Sequence, residues 1–298
     1  MIAIVIPYYK LTFFKDTLQS LADQTNKNFK LYIGNDASPE CPEALLEKYK
    51  GKFDFTYKKF ESNLGGVSLV KQWERCLEMV EEEDWIMILG DDDVLGENVV
   101  DEFYKNIKEI EIQNINVVRY ATHKKNKKND ITSILYQHPV IEKSTDFIFR
   151  SSRSSLSEYI FKKEQISKVK FKEFPLAWYS DILAVLEFSN FKNVYSINNA
   201  IVYVRISDLS ISGQQNNKED KINARFNYYY YLLKNKNVFF SKTQSILLLN
   251  MLNKTYINNK KNLFFLIKAL YIHLSVFYLF NIIHFFRDII KSINAQKR

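Results

Sequence analysis

The most constraining feature of this chain is an alternation of short apolar runs with helical periodicity over its first 120 residues. "IAIVIP" (2–7) is an apolar run stopped by Pro7, the pattern of a buried parallel strand. Phe14, Leu18 and Leu21 then share one helical face. "FKLYIGND" (29–36) predicts a second strand ending in a polar turn, and "FDFTYKKF" (53–60) an alternating third. "NLGG" (63–66) breaks the chain, and Val67, Val70, Trp73, Leu77 and Val80 predict an amphipathic helix. "WIMILG" (85–90) reads as the most buried strand, and Val100, Phe103, Ile107 and Ile110 as the next helical face. Strands alternating with helices imply an α/β fold: a Rossmann-like, mostly parallel sheet with helices on both faces. Ligands of such sheets bind beyond the carboxyl ends of the strands. Pro7-Tyr8-Tyr9, Asn35-Asp36 and Asp91-Asp92-Asp93 all fall at that edge.

Beyond residue 120 the pattern loosens. "HKKNKKND" (123–130) is expected to be a solvated hairpin tip, "SSRSSLSEYIF" (151–161) a loop leading into a short strand, and "NVYSINNAIVYVRIS" (193–207) a strand pair. "AWYSDILAVLEFS" (177–189) places Asp181 at a helix start. From about 222 the chain reads as helices rich in Tyr, Phe, Leu, Asn and Lys. The expected division is a domain over 1–215, with halves 1–120 and 121–215, and a helical, basic C-terminal region over 216–298. At 298 residues and 46% hydrophobic content the chain can bury a core, which argues against disorder. Cys41 and Cys76 are its only cysteines, without metal or redox spacing, which suits a reduced cytoplasmic setting. "MIAIVIPYYK" reads as a strand rather than a signal peptide.

The Asp triplet needs a reason, since adjacent carboxylates repel. An EF-hand would use Asp91, Asp93, Gly96 and Glu102, but Leu95 cannot ligate and a strand precedes the loop. An acidic helix N-terminus is the plain alternative, yet it does not explain why the cluster ends the most buried strand. A divalent cation does: hard cations take carboxylate oxygens and share themselves with phosphates, and as Lewis acids stabilise a leaving diphosphate.

With these residues in view, the chain resembles glycosyltransferase family 2 of the GT-A fold. The family's usual signs are an opening hhIPxYN, an Asp after the second strand, an NxG before a helix and a DxD-type motif after a hydrophobic strand. Here they stand as "IAIVIPYYK", "YIGNDASPE", "NLGG" and "WIMILGDDDVL", in order over residues 1–100, with weaker likeness through "WYSD" (178–181) and "AIVYVRIS" (200–207). The resemblance implies that Pro7 and Tyr9 pack the nucleotide base, that Asp36 accepts a hydrogen bond from it, and that Asn63 and Gly65 form a loop beside the nucleotide. Lys71 stands where many members have Asn and either reaches a phosphate or is a solvated helix lysine. Gly90 takes the place of the usual first Asp. Asp92 then aligns with the metal ligand, Asp91 with a ribose or metal contact, and Asp93 with a second ligand or a helix cap. Asp181 is implied as the catalytic base, with Glu173 and Glu187 as weaker competitors. Arg205 binds the diphosphate or a lid, or makes an ion pair.

The implied activity is inverting transfer from a nucleoside-diphosphate sugar, UDP-linked by expectation, with Mn²⁺ or Mg²⁺ as cofactor. The acceptor would be a hydroxyl of a glycan or lipid-linked molecule, in bacterial surface polysaccharide synthesis. A nucleotidyltransferase is the competing enzyme class, but "IPYYKLTFFK" lacks the Gly-rich basic loop it needs. A non-catalytic, membrane-associated carbohydrate-binding domain is the third reading. The charge is uneven: residues 234–298 hold eleven Lys/Arg and one acid, Asp288, while residues 1–233 sum to −2. Basic residues interleaved with apolar runs suit an anionic membrane better than nucleic acid. The expectation is a peripheral protein on the inner face of the cell membrane, held by residues 240–298, with docking of these helices on the catalytic domain or a partner subunit, or a true span, as the alternatives. Within that stretch "ALYIHLSVFYLFNIIHFF" (269–286) carries no formal charge, and His273, Asn281, His284, Asp288 and Lys291 predict a polar stripe along one helix. The oligomeric state is left open.

Overall fold

The computed structural model describes residues 1–150, 154–208, 210, 213, 216–260, 262–275 and 279–295. The chain divides into two compact units: residues 1–173 with 180–216, and residues 174–179 with 217–298.

The first unit runs β1 (Ile2–Tyr8), α1 (Phe14–Ala22), β2 (Phe29–Asn35), α2 (Glu43–Glu47), β3 (Asp54–Lys59), α3 (Leu69–Leu77), β4 (Trp85–Ile88), β5 (Val94–Leu95) and α4 (Val99–Ile112). It continues with β6 (Val117–Lys125), β7 (Ile141–Lys143), α5 (Ser144–Arg150), β8 (Tyr159–Lys162), α6 (Lys163–Val169), α7 (Ser180–Phe188) and β9 (Asn193–Arg205). The strands form one sheet in the order β3-β2-β1-β4-β8-β6-β9-β5, with β7 on β9. The β1–β2, β1–β4 and β2–β3 pairs are parallel, as the alternation of the first 120 residues predicts. Strands β1, β2 and β4 are buried almost throughout, which explains why they read as continuous apolar runs. The remainder of the sheet is mixed: β8 lies antiparallel between β4 and β6, while β6 and β9 are parallel.

Two local expectations change. Residues 193–205 form one strand and not a pair. Its register on β6 jumps from Ile197↔Tyr120 to Ile201↔Ala121, so the intervening residues bulge out. The Asn198 side chain in the bulge exchanges hydrogen bonds with the backbone amide and carbonyl of His138, which ties the bulge to the neighbouring loop. The bulge lets β9 carry β7 near one end and β5 near the other. Helix α3 begins after Ser68, whose hydroxyl caps the Lys71 amide at 3.2 Å, so Val67 lies outside it and is exposed.

The second unit holds α8 (Lys218–Asn235), α9 (Lys242–Ile257), α10 (Leu263–Ser275) and α11 (Leu279–Ala295). Ser241 and Gln244 close α9 with a capping box. Phe226 of α8 stacks on Phe265 of α10 with ring centroids 3.9 Å apart. Residues 276–278 lie outside the described residues, but the stretch 269–286 is not one straight helix, because the His273 ring of α10 and the Phe285 ring of α11, which would be about 18 Å apart along a single helix, lie 4.9 Å apart. The single polar stripe is broken accordingly. His273 is fully buried, hydrogen-bonded to Asn253 at 3.1 Å and stacked on Phe285 at 4.9 Å. Desolvation lowers its pKa to about 4, so it packs as a neutral ring. Among the described residues no helix is long and apolar enough to cross a membrane.

Candidate active site

The parallel strands stop together at one edge of the sheet. There the loops after β1, β2 and β4, the loop before α3 and the end of β9 enclose a cleft of about 510 Å³. Pro7, Tyr9, Asp36, Asn63, Gly65, Asp91, Asp92, Asp93 and Arg205 all line it. Lys71 does not: it is exposed on α3.

The three aspartates do three different things. The Asp91 Oδ2 accepts hydrogen bonds from the amides of Tyr9 and Lys10, both at 2.7 Å. It therefore ties the loop after β1 to the loop after β4. Burial still raises its pKa above the usual carboxylate value, against the pull of those amides. Asp93 spans the other side: Ser157 Oγ donates to its Oδ2 at 2.5 Å, and the Arg205 amide to its Oδ1 at 2.8 Å. The Asp92 carboxylate accepts no hydrogen bond among the described residues; only its backbone carbonyl does. Burial raises its pKa well above the ordinary range, and the neighbouring charges of Asp93 and Asp91 add to this. Arg205 and Lys10 oppose that rise. Gly90 packs closely under the triplet. A Cβ there would come within 3.0 Å of Asp93 Oδ2 and 3.1 Å of Asp92 Oδ1.

Arg205 is buried, with its guanidinium turned onto the protein. Its Nε donates to the Asp92 carbonyl at 2.9 Å, Nη1 to the Asn126 carbonyl and Nη2 to Asp16 Oδ2, both at 3.0 Å. Its plane lies 4.2 Å from the Phe13 ring centroid. Asp36 is similarly engaged. Its oxygens accept the Leu64 amide at 2.7 Å and the Gly65 amide at 2.8 Å, and Arg75 pairs with it at 2.5 Å. Gly65 is required by proximity, since a Cβ on it would lie 2.5 Å from Asp36 Oδ2. Asn63 closes the same turn by accepting the Gly66 amide at 2.6 Å. The loop before α3 thus hangs on Asp36 and Asn63.

Asp181 sits in the first turn of α7 and stays partly exposed. Desolvation raises its pKa to about 6, and the charge of Glu158 pushes the same way. The Ile182 amide and the Ser154 side chain hydrogen-bond it and oppose the rise. Asp181 does not itself line the cleft. Ser154, to which it bonds, directly precedes Ser155, Leu156 and Ser157, which do. Neither Glu173, which is exposed, nor Glu187, which is buried, lines the cleft.

Several contributors escaped the sequence reading. Lys10 and Trp73 line the cleft. Lys10 stands inside the "PYYK" motif, and Trp73 falls by spacing on the apolar face of α3. Arg75 had no signal beyond the need of a buried Asp36 for a counter-charge. Ser157 and the buried Glu158, which accepts from Thr122 Oγ1 at 3.0 Å, belong to a serine-rich loop that reads as featureless.

Among the described residues no three His, Cys, Asp or Glu side chains are grouped to hold a metal ion by themselves. The uncompensated Asp92 fits a cation that takes its remaining ligands from elsewhere, as a diphosphate would supply. Asp93 could join only through water or by releasing Ser157 or the Arg205 amide.

The model of the family described as glycosyl transferase family 2 matches residues 3–178. No curated protein sequence matches the chain. Among solved structures the chain is similar to S. aureus TarS 1-349 in complex with UDP-GlcNAc. That likeness has a TM-score of 0.65 and 15% identity, and covers 98% of this chain and 81% of that one. A longer S. aureus TarS structure gives 0.61 at 16% identity over 86% of this chain, which spans only 43% of it. The mannosyltransferase PcManGT from Pyrobaculum calidifontis, in complex with GDP-Man and Mn²⁺, gives 0.53 at 10% identity, covering 93% of this chain and 76% of that one. At these identities the likeness establishes the fold.

Proposed function

This chain belongs to glycosyl transferase family 2, and we propose that it transfers a sugar from a UDP-linked donor, with inversion, to a hydroxyl of a glycan or lipid-linked acceptor. It is a glycosyltransferase that uses a nucleotide sugar; the UDP base, the acceptor and the stereochemical course are the proposal. The observation that carries it is the placement of one uncompensated carboxylate, Asp92, among four loops that converge at the carboxyl edge of the sheet.

Pro7 and Tyr9 form the wall against which a base packs, with Asp36 beside them on the Gly65 loop. In the reaction, Asp181 accepts the proton of the acceptor hydroxyl as its oxygen attacks the anomeric carbon. The bond from that carbon to the diphosphate oxygen breaks, and its electron pair leaves with the nucleotide. A base poised near pH 6 suits this work, since it is ionised at neutral pH yet basic enough to take a proton. Asp92, with Asp93 beside it, would hold Mn²⁺ or Mg²⁺, which when bound supplies Lewis-acid stabilisation of the departing diphosphate. Asp91 and Arg205 act through the backbone: they fix the loops on either side of Asp92, and Asp91 remains within the cleft for a ribose contact.

UDP titrated with and without Mn²⁺, followed by a panel of nucleotide sugars, tests the reading. Mn²⁺-enhanced UDP binding that Asp92→Ala removes is the expected result. Binding that is indifferent to metal and to Asp92 would overturn the metal assignment, and no binding of any nucleotide would overturn the donor site.

A further inference from the structure

Helix α10 is apolar on two faces, and only one of them is covered. Phe265, Ala269, Ile272 and His273 are buried. Leu263, Phe264, Ile267, Tyr271 and Leu274 are 47–70% exposed. At 100° per residue those five fall within a stripe roughly 100° wide, and at 1.5 Å per residue it runs about 17 Å along the helix. Helix α11 repeats the pattern: Phe285 is buried, while Ile283, Phe286 and Ile290 are 44–67% exposed at steps of three and four. Single exposed apolar side chains need no explanation, but two stripes of this length in one unit do.

We propose that these two helix faces dock on an anionic lipid surface, a role beyond the transfer reaction and independent of it. Charge selects the occupant. Residues 234–298 carry eleven Lys/Arg against Asp288 alone. A second copy would bring the same excess of positive charge to the contact, so electrostatics oppose self-docking and favour phosphate headgroups. Lys234, Lys242, Lys254, Arg287 and Lys291 are exposed on the same unit. Lys268 sets a positive charge beside the exposed stripe, with its Nζ 4.3 Å from the Phe264 ring centroid and donating to Asn227 Oδ1 at 3.1 Å. Among the described residues no helix is long and apolar enough to span a bilayer, and an interfacial attachment is the mode that fits these faces.

The test is flotation of the full chain with phosphatidylcholine vesicles, with and without 30% phosphatidylglycerol. The full chain binds the anionic vesicles at least tenfold more tightly than the neutral ones, and 0.5 M salt releases part of it. Because all three positions are exposed, Phe264→Ser/Ile267→Ser/Leu274→Ser keeps the parent melting temperature and loses at least tenfold in vesicle binding. A second variant, Lys254→Gln/Arg287→Gln/Lys291→Gln, loses the preference for the anionic vesicles, at about fivefold per charge near the surface. Equal vesicle binding by the parent and the serine variant overturns the proposal, as does equal affinity for both lipid compositions. A lipid-free dimer that the serine substitutions disperse would give the face to a second copy and overturn it as well. UDP binding, measured on the same samples, reports separately on the donor site.

Discussion

The donor cleft and the C-terminal helices are unfinished in opposite ways. In the cleft nearly every charged group is spoken for: Asp91 by two amides, Asp93 by Ser157 and the Arg205 amide, Asp36 by Arg75 and the Gly65 loop. What is left over is one carboxylate, Asp92, whose charge its surroundings disfavour. In the helices charge is plentiful and exposed, and what is left over is apolar surface on α10 and α11. A folded chain that leaves a buried charge or a broad apolar face uncovered forgoes stability there, and each omission has a natural completion. The proposed completions are a cation with a diphosphate for the first and a lipid surface for the second.

The comparison breaks most sharply at Asp181. Asp181→Asn is nearly isosteric but cannot take a proton, so kcat falls by roughly 10²–10⁴-fold while donor affinity changes little. Single-turnover kinetics beside UDP titration check this, and collapse of donor affinity would make Asp181 a binding residue. Asp92→Asn ranks next. It removes the uncompensated charge, so transfer falls on the order of 10²–10³-fold and Mn²⁺ no longer tightens UDP. The same change, measured without metal, leaves the melting temperature equal or higher because repulsion from Asp91 and Asp93 is relieved.

A smaller effect is expected at Gly65. Gly65→Ala drives a Cβ against Asp36 Oδ2, which costs about 1–3 kcal/mol by overpacking and raises the donor KM with kcat little changed. The pH profile follows from Asp181. Its pKa is raised from 3.8 to about 6, and as the proposed base it would work in the deprotonated form. Activity therefore rises with pH through 6 and falls about tenfold per unit below it, and Asp181→Asn removes that limb. The smallest effect sharpens the contrast between the regions. The serine variant of α10 changes kcat and KM for a soluble acceptor by less than about twofold, as expected for surface substitutions away from the chemistry. A larger loss would couple the helices to catalysis.

Much of the cleft was legible because parallel strands are buried on both faces and must end in polar turns. Tyr9, Asp36 and the Asp triplet were placed at one edge by that rule alone. Lys71 shows its limit: α3 starts beside the cleft, but Ser68 caps it so that residue 71 faces solvent. His273 shows another. Helical spacing puts it on a polar stripe, yet the packing of α10 against α11 sets it in the core against Phe285.

By itself, then, the sequence determined the parallel half of the sheet, the identity of the strand-end residues, and the charge excess of the C-terminal region. All three follow from local periodicity and composition, which act over a few residues at a time. Tertiary structure alone decided which aspartate keeps its charge unmatched, that Arg205 turns onto Asp92 and Asp16 as a clamp, and that Asp36 pairs with Arg75. It also decided which face of α10 stays uncovered. These outcomes depend on groups tens to nearly two hundred residues apart competing for the same hydrogen bonds and the same buried surface, and no periodicity along the chain records who wins that competition.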